Sequence, residues 1–515
     1  MKKKVKENNE TIAVSDDKER SSQTKGKKTV RLGDEPIYDL SQISPVKALL
    51  LGLQHMFAMF GATVLVPLLT GLDVSTTLLM AGAGTLIFHL ITRGKVPAFL
   101  GSSFAFLGGY AAVAPLTDGV ADPEKLAYAG GGVAVAGLVY IILAGLIKAF
   151  GVQRVMRFFP PVVTGPIIIS IGLILAPTAI TNCQTDWTLA LVAIIVVIVC
   201  NIWGRGMIKI IPVMMGIIVA YLFALVTGSL DLSTVTTGRV FEVPVHTAAF
   251  AKFDISSIIT ILPISLATIM EHVGDVSAIG ATTGRNYISY PGLHRTLLGD
   301  GIATSISAFF GGPANTTYGE NTGVLVLTKV YDPKVTRIAA YFSILLSFFP
   351  IISSFIRSIP TAIIGGVSLI LYGMISAIGV RNVVENNVDF TKSRNLIIAA
   401  AILVTALGFN AIGGLSFVVS GVTINLSGLA IAALIGIIMN AILPGKDYFF
   451  SVESPQDTGV NFSAVDTSKE GKTDETTPVE VNTIEAIDPR IIKEEKSDQR
   501  KRSPIKMDSG TDQPN

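Results

Sequence analysis

The chain has 515 residues, of which half are hydrophobic and 15% charged, with a mean hydropathy of +0.58. These values exclude a string of ordinary soluble domains and point to an integral membrane protein. The net charge of +2 says little about partners, because most charged residues sit in two tails, residues 1–45 and 446–515.

The first tail, "MKKKVKENNETIAVSDDKERSSQTKGKK", has no apolar core followed by a small-residue cleavage site. It is therefore expected to be a disordered tail and not a cleaved signal peptide, with the first apolar segment retained as a span. A bilayer core takes about 20 apolar helical residues, and on that template about fourteen segments follow. They centre near residues 57, 82, 107, 138, 168, 195, 218, 268, 301, 323, 346, 371, 402 and 433. The tail from 446 onward is polar, mixed in charge and poor in aromatics, which predicts disorder.

The loops test the count. Alternate loops carry Arg93 and Lys95; Lys148, Arg154 and Arg157; Arg205 and Lys209; Arg285 and Arg295; Lys329, Lys334 and Arg337; and Arg381, Lys392 and Arg394. The intervening loops hold only Lys125, Arg239, Lys252 and Arg357. Basic residues near short loops favour the cytoplasm, so both tails are expected to be cytoplasmic. The longest external connection, 229–255, separates two seven-span repeats, 46–228 and 256–445. Seven is odd, so the repeats are inverted, as in many secondary transporters. "FPPVVTG" at Pro160 and "IPTAIIG" at Pro360, each with glycine five residues after the proline, occupy the fifth span of each half.

The third span of each half is irregular. "PAFLGSSFAFLGGYAAVAPL" and "NTTYGENTGVLVLTKVY" carry glycines and polar residues where a lipid-facing helix would have Leu and Ile. Small residues also permit close helix packing. Paired interruptions at matching places, one bearing a glutamate, instead indicate the binding site of a transporter.

Four carboxylates, Glu271, Asp275, Asp300 and Glu320, fall within or beside apolar runs. A carboxylate at the bilayer centre costs about 2.5 to 3.5 kcal/mol on insertion scales, so each calls for a role. Glu271 and Asp275, four apart, share one helix face. Glu271 lies deep in its span, which makes it a candidate for proton uptake. Asp300 suits a structural or a helper role, and His55 and His272 read as packed, hydrogen-bonded histidines. Cys183 and Cys200 lack metal-site spacing, and no cofactor, metal or nucleic-acid partner is expected.

Broken helices expose backbone N–H donors, and carboxylates accept N–H groups. A planar ring alternating N–H with C=O satisfies both, and Phe104 and Tyr318 are candidates for its apolar faces. That description fits a nucleobase better than a sugar or an inorganic anion.

Several ordered motifs extend this reading. Glu320, Asn321, Gly323, Thr328 and Lys329 form the pattern Gln/Glu-Asn-x-Gly-x4-Thr-basic, and Gln54-His55, "KVPAFLGSSFAF", "EHVGD", "PGLHR" and "GGVSLILYG" accompany it. Over about residues 45 to 445 the chain resembles the nucleobase–ascorbate transporter (NCS2) family, and within it the bacterial uracil permeases. The resemblance implies an all-α polytopic membrane protein of about fourteen spans in a seven-plus-seven inverted repeat, with spans three and ten broken and carrying short extended stretches. Spans one to four and eight to eleven would form a core domain and the other six a gate domain, in a homodimer. It implies proton-coupled uracil import across the cell membrane by alternating access and not enzyme chemistry. Glu271 and Glu320 would bond the base, backbone amides of Phe104 and Gly319 would meet its carbonyls, and Tyr318, Ser368 and Tyr372 would lie nearby. Glu271 and Asp275 would couple the proton. Asp275 stands where a resembled uracil permease has His and purine-type relatives often have Asp, whereas Glu320 stands where xanthine and urate transporters typically have Gln. Uracil is the expected substrate, with a xanthine or urate symporter as the alternative.

Overall fold

A computed structural model describes residues 35–117, 120–230, 240–419, 422–445 and 448, all within one compact unit. Residues 1–34, Arg239, and nearly all of the tail from 446 onward lie outside the described residues. The expected disorder of residues 1–34 and of nearly all of the tail from 446 onward therefore concerns residues beyond this description.

Helices occupy every region where an apolar segment was expected. In chain order they are α1 (Pro45–Thr70), α2 (Val74–Ile91), α3 (Leu107–Val113), α4 (Pro123–Phe150), α5 (Pro161–Cys183), α6 (Trp187–Trp203) and α7 (Pro212–Val226). Then come α8 (Ile264–Thr283), α9 (Leu293–Phe309), α10 (Gly319–Thr328), α11 (Pro333–Ser347), α12 (Thr361–Glu385), α13 (Ser393–Ala411) and α14 (Gly428–Ile442). Among the described residues, seven helices are long and apolar enough to cross a membrane by length and composition. The starts are written locally: Asp73, Asp122, Asp186 and Asp332 each accept a first-turn N–H, and prolines open α1, α4, α5, α7 and α11. Both devices suit a helix N-terminus, where N–H groups lack intrahelical acceptors.

Three features depart from the sequence expectations. The segment centred near 346 is bent by 84° between α11 and a short helix, Pro350–Arg357, where Pro350 cannot continue the hydrogen-bond ladder. A hairpin of β3 (Leu415–Val419) and β4 (Val422–Leu426) joins α13 to α14. The last ten residues of the first tail are structured: Ile37 is 1% exposed and forms a parallel bridge with Val330. There Ile37 donates its N–H to Lys329 O at 2.8 Å, Tyr331 returns one to Ile37 O at 2.7 Å, and the Tyr38 hydroxyl donates to Thr283 O at 2.8 Å.

Helix contacts are reciprocal. The α2 helix packs on α11 as α9 packs on α4; α6 packs on α7 and α12 as α13 packs on α14 and α5. The α5 and α12 helices pack on each other, and glycine permits the approach. A Cβ at Gly165 would stand 2.3 Å from Val383 Cγ2, and one at Gly365 2.6 Å from Cys183 N. Each glycine sits near the start of its own helix and meets the end of the other, so the two backbones run close and antiparallel. Cys183 and Cys200 are both buried and free.

Candidate functional site

The two interrupted segments meet each other. After α2 the chain forms β1 (Leu100–Ser102), and before α10 it forms β2 (Asn315–Thr317). They pair antiparallel in the register Leu100↔Thr317, Gly101↔Thr316 and Ser102↔Asn315. The pairing is extended by Ser103 N–H to Ala314 O at 2.9 Å and Tyr318 N–H to Phe99 O at 3.0 Å. All six strand residues are buried, and buried non-helical backbone is tolerated only when its polar groups are satisfied. Neighbouring side chains complete that satisfaction: Leu100 N–H donates to Thr85 Oγ1 at 2.9 Å, Thr304 Oγ1 to Asn315 O at 2.9 Å, and Asn315 Nδ2 to Met80 O at 3.2 Å.

A helical start follows each strand. Phe104–Phe106 make a 3-10 turn that leads into α3, and Gly319 opens α10 with Tyr318 as its cap. First-turn N–H groups, Phe104 and Gly319 among them, have no intrahelical acceptor. They concentrate partial positive charge where the two segments converge. Gly101 is required here: a Cβ would lie 2.5 Å from two ring carbons of Tyr318 and 2.8 Å from Thr63 Oγ1. The Tyr318 hydroxyl in turn donates to Ser102 O at 2.9 Å.

The carboxylates divide by exposure. Glu271 on α8 and Glu320 in the first turn of α10 are half-buried, whereas Asp275 and Asp300 are 1% and 0% exposed. Asp275 Oδ2 accepts from Thr317 Oγ1 at 2.7 Å, which ties α8 to β2. Asp300 Oδ2 lies 2.9 Å from His272 Nδ1, with both side chains fully buried. Asn321 Nδ2 donates to His55 O at 3.0 Å and lies 3.1 Å from His55 Nδ1, which fastens α10 to α1.

Two cavities open onto the half-buried carboxylates. One is lined by Glu320, by Ala58, Gly61 and Ala62 of α1, by the stretch Lys209 to Met214, and by Leu371 and Met374 of α12. The other is lined by Glu271 and Ala267 of α8, Phe104 and Ala105, Ile168 and Ile171 of α5, and Ile375 and Ile378 of α12. Residues 371, 374, 375 and 378 have the spacing of one helical face, so a single stripe of α12 serves both cavities. Each cavity offers apolar walls and one carboxylate, a combination suited to a flat ring with N–H groups on its edge.

Of the residues expected at the site, Glu271 and Phe104 share one cavity, and Glu320, with Gly319 preceding it, faces the other. Tyr318 lines neither of these two; its ring is committed to Gly101 and Ser102. Ser368 and Tyr372 are buried on α12, one turn apart. Asp275 reaches the break through Thr317, a partner the sequence did not single out, and Lys209 was counted only as a loop charge. Among the described residues no group of three or more His, Cys, Asp or Glu side chains could hold a metal ion.

A family model described as "Permease family" matches residues 46–414. The chain is 42% identical over 427 residues to a uracil permease of Bacillus caldolyticus, a match covering 80% of this chain and 96% of that protein. It is 39% identical to a uracil permease of Bacillus subtilis, covering 81% and 96%, and 37% identical to one of Escherichia coli K12, covering 76% and 90%. Among solved structures, the transmembrane domain of a cyanobacterial bicarbonate transporter, BicA, superposes with a TM-score of 0.54 at 16% identity, covering 71% of this chain and 96% of that one. SLC26A9 gives 0.57 at 11% identity, covering 79% and 66%. At such identities the likeness is one of fold.

Proposed function

The chain belongs to the nucleobase–ascorbate transporter (NCS2) family of permeases, and from that premise we propose that it is a uracil:proton symporter of the cell membrane. It is a multi-pass membrane transporter rather than an enzyme. The observation that carries the substrate reading is the pairing of β1 with β2, which brings the helical starts at Phe104 and Gly319 together among Glu271 and Glu320.

In this reading, Glu320 and Glu271 accept the ring N–H groups, and the backbone N–H groups of Phe104 and Gly319 donate to the ring carbonyls. Hydrogen bonds to charged groups are worth about 1.5 to 3 kcal/mol each, enough for two carboxylates to dominate selectivity. The α12 stripe and Phe104 exclude water from the ring faces, with Tyr318, Ser368 and Tyr372 holding the surrounding shape. Glu271 takes up the coupled proton, and Asp275, bonded to Thr317, links that event to the broken segment.

The fourteen helical segments cross the membrane as two inverted sets of seven, divided by the 229–255 connection, with both termini cytoplasmic. The reciprocal contacts of α2, α4, α9 and α11 and of α5, α6, α12 and α13 support this symmetry. Helices α1–α4 and α8–α11 form a core that carries the base past a gate made of the other six, within a homodimer. A xanthine or urate symporter is the second reading, favoured by Asp275, and competition between uracil and xanthine separates the two. Radiolabelled uracil uptake in a permease-deficient strain tests the main reading. Uptake abolished by a protonophore is expected; absence of uptake, or indifference to the protonophore, overturns it.

A further inference from the structure

The cavity that reaches Glu320 is lined by a second ionisable residue, Lys209. Lys209 lies within a short helix, Met207–Ile210, that precedes the start of α7, and is half-buried. The short helix is packed down: Ile210 is 6% exposed, in a cluster with Ala58 of α1 and Val324 of α10. Lys209 therefore hangs from a fixed support beside the half-helix that bears Glu320. Among the described residues it makes no ion pair. Glu320 Oε2 is likewise buried with no hydrogen-bond partner. Among the described residues, the ionisable groups that feel the charge of Glu320 are Glu271 and Asp275 of α8 and the Tyr318 hydroxyl, none of them a cation.

We propose that Lys209 is a positioning residue for release: when the base leaves, its ammonium crosses the cavity and takes the place of the ring N–H on Glu320. This inference rests on the uracil-binding reading of Glu320 given above. A half-buried carboxylate stripped of its donor is costly unless another donor arrives. Lysine supplies one on a flexible four-carbon stem, as a compact point charge. Lys209 and substrate then compete for one acceptor. Because Lys209 belongs to the gate and Glu320 to the core, the pair forms only while the site faces the side on which Lys209 stands. The ammonium thereby favours discharge toward that side.

Radiolabelled uracil binding and uptake with full-length protein test the competition. Lys209→Met is expected to bind uracil several-fold more tightly and to show a several-fold lower maximal uptake rate, while Lys209→Arg behaves as wild type. Unchanged affinity and rate in Lys209→Met, or reduced yield with unchanged affinity, overturn the proposal. A second measurement needs no substrate. Melting-temperature shifts of Lys209→Met, Glu320→Gln and the double variant are expected to be non-additive in uracil-free protein, as for directly interacting residues. Additive shifts overturn the pair. Non-additive shifts in a protein that binds no uracil leave the pair standing and overturn the substrate reading instead.

Discussion

The hydroxyl of Thr317 donates to Asp275 Oδ2 across 2.7 Å, joining the strand of one broken segment to the helix that carries Glu271 one turn away. Asp275 Oδ1 has no partner and the residue is 1% exposed, so the Thr317 bond is the contact that holds this carboxylate. Thr317→Ala is expected to lower uptake at least about tenfold, the kinetic equivalent of losing roughly 1.4 kcal/mol. Thr317→Ser, which keeps the hydroxyl, should retain most of it. Uptake rates of the two variants at matched membrane abundance check this.

Gly101 meets the Tyr318 ring where a Cβ would intrude to 2.5 Å. Gly101→Ala is therefore expected to abolish uracil binding, because the ring cannot withdraw without breaking its bond to Ser102 O. A uracil-binding measurement on purified Gly101→Ala checks it, and Gly108→Ala, where a Cβ meets nothing within 4 Å, should bind as wild type.

Glu320 is the carboxylate in the first turn of α10 and opens onto a cavity walled mainly by apolar side chains. Glu320→Ala is expected to eliminate measurable binding. Glu320→Gln, which keeps an acceptor oxygen but adds a donor, should weaken uracil and favour xanthine relative to it. Competition by both bases against labelled uracil reads the shift.

Ile37 is buried in a small cluster with Ile43, Leu51, Val330 and Val335. Ile37→Ala should destabilise the protein by about 2 to 5 kcal/mol, the range for large-to-small changes in a packed core. Thermal unfolding in detergent, followed as the loss of monodisperse protein, measures it; an unchanged melting temperature would show that the segment before α1 is dispensable.

Gly365→Val places branched carbons into the backbone of Asn182 and Cys183. Overpacking of this kind costs about 1 to 3 kcal/mol, and more where the obstacle is backbone. Yield of folded protein from membranes is expected to fall sharply, with Gly373→Val, facing open space, as the matched control.

Much of this was legible in the chain. Apolar runs of span length announce themselves by composition, and the glycine-rich and polar interruptions at "LGSSFAF" and "TTYGENTG" stood out against them. Glu271 and Glu320 were conspicuous because charge is scarce there. The pairing of β1 with β2 was not legible: three residues give no strand periodicity, and the partners are far apart in sequence. The same holds for Ile37 on Val330, where one buried isoleucine in a charged tail has no pattern to report its contact. Thr317 could not be assigned to Asp275 because any of several hydroxyls near the break had equal claim. Lys209 matched the loop-charge rule so well that its second environment, the cavity beside Glu320, left no trace in the sequence.

Ser102 and Tyr318, bonded across the paired strands, are 216 positions apart in the chain. At about 5 to 20 residues per second, the ribosome needs roughly 10 to 40 s to supply the second strand after the first has emerged. Throughout that interval β1 holds backbone groups whose final acceptors do not yet exist. The pairing of β1 with β2 can therefore form only after Asn315–Thr317 has been made. A chain truncated before Asn315 should accordingly be a target for membrane quality control, however many intact helices it has already inserted.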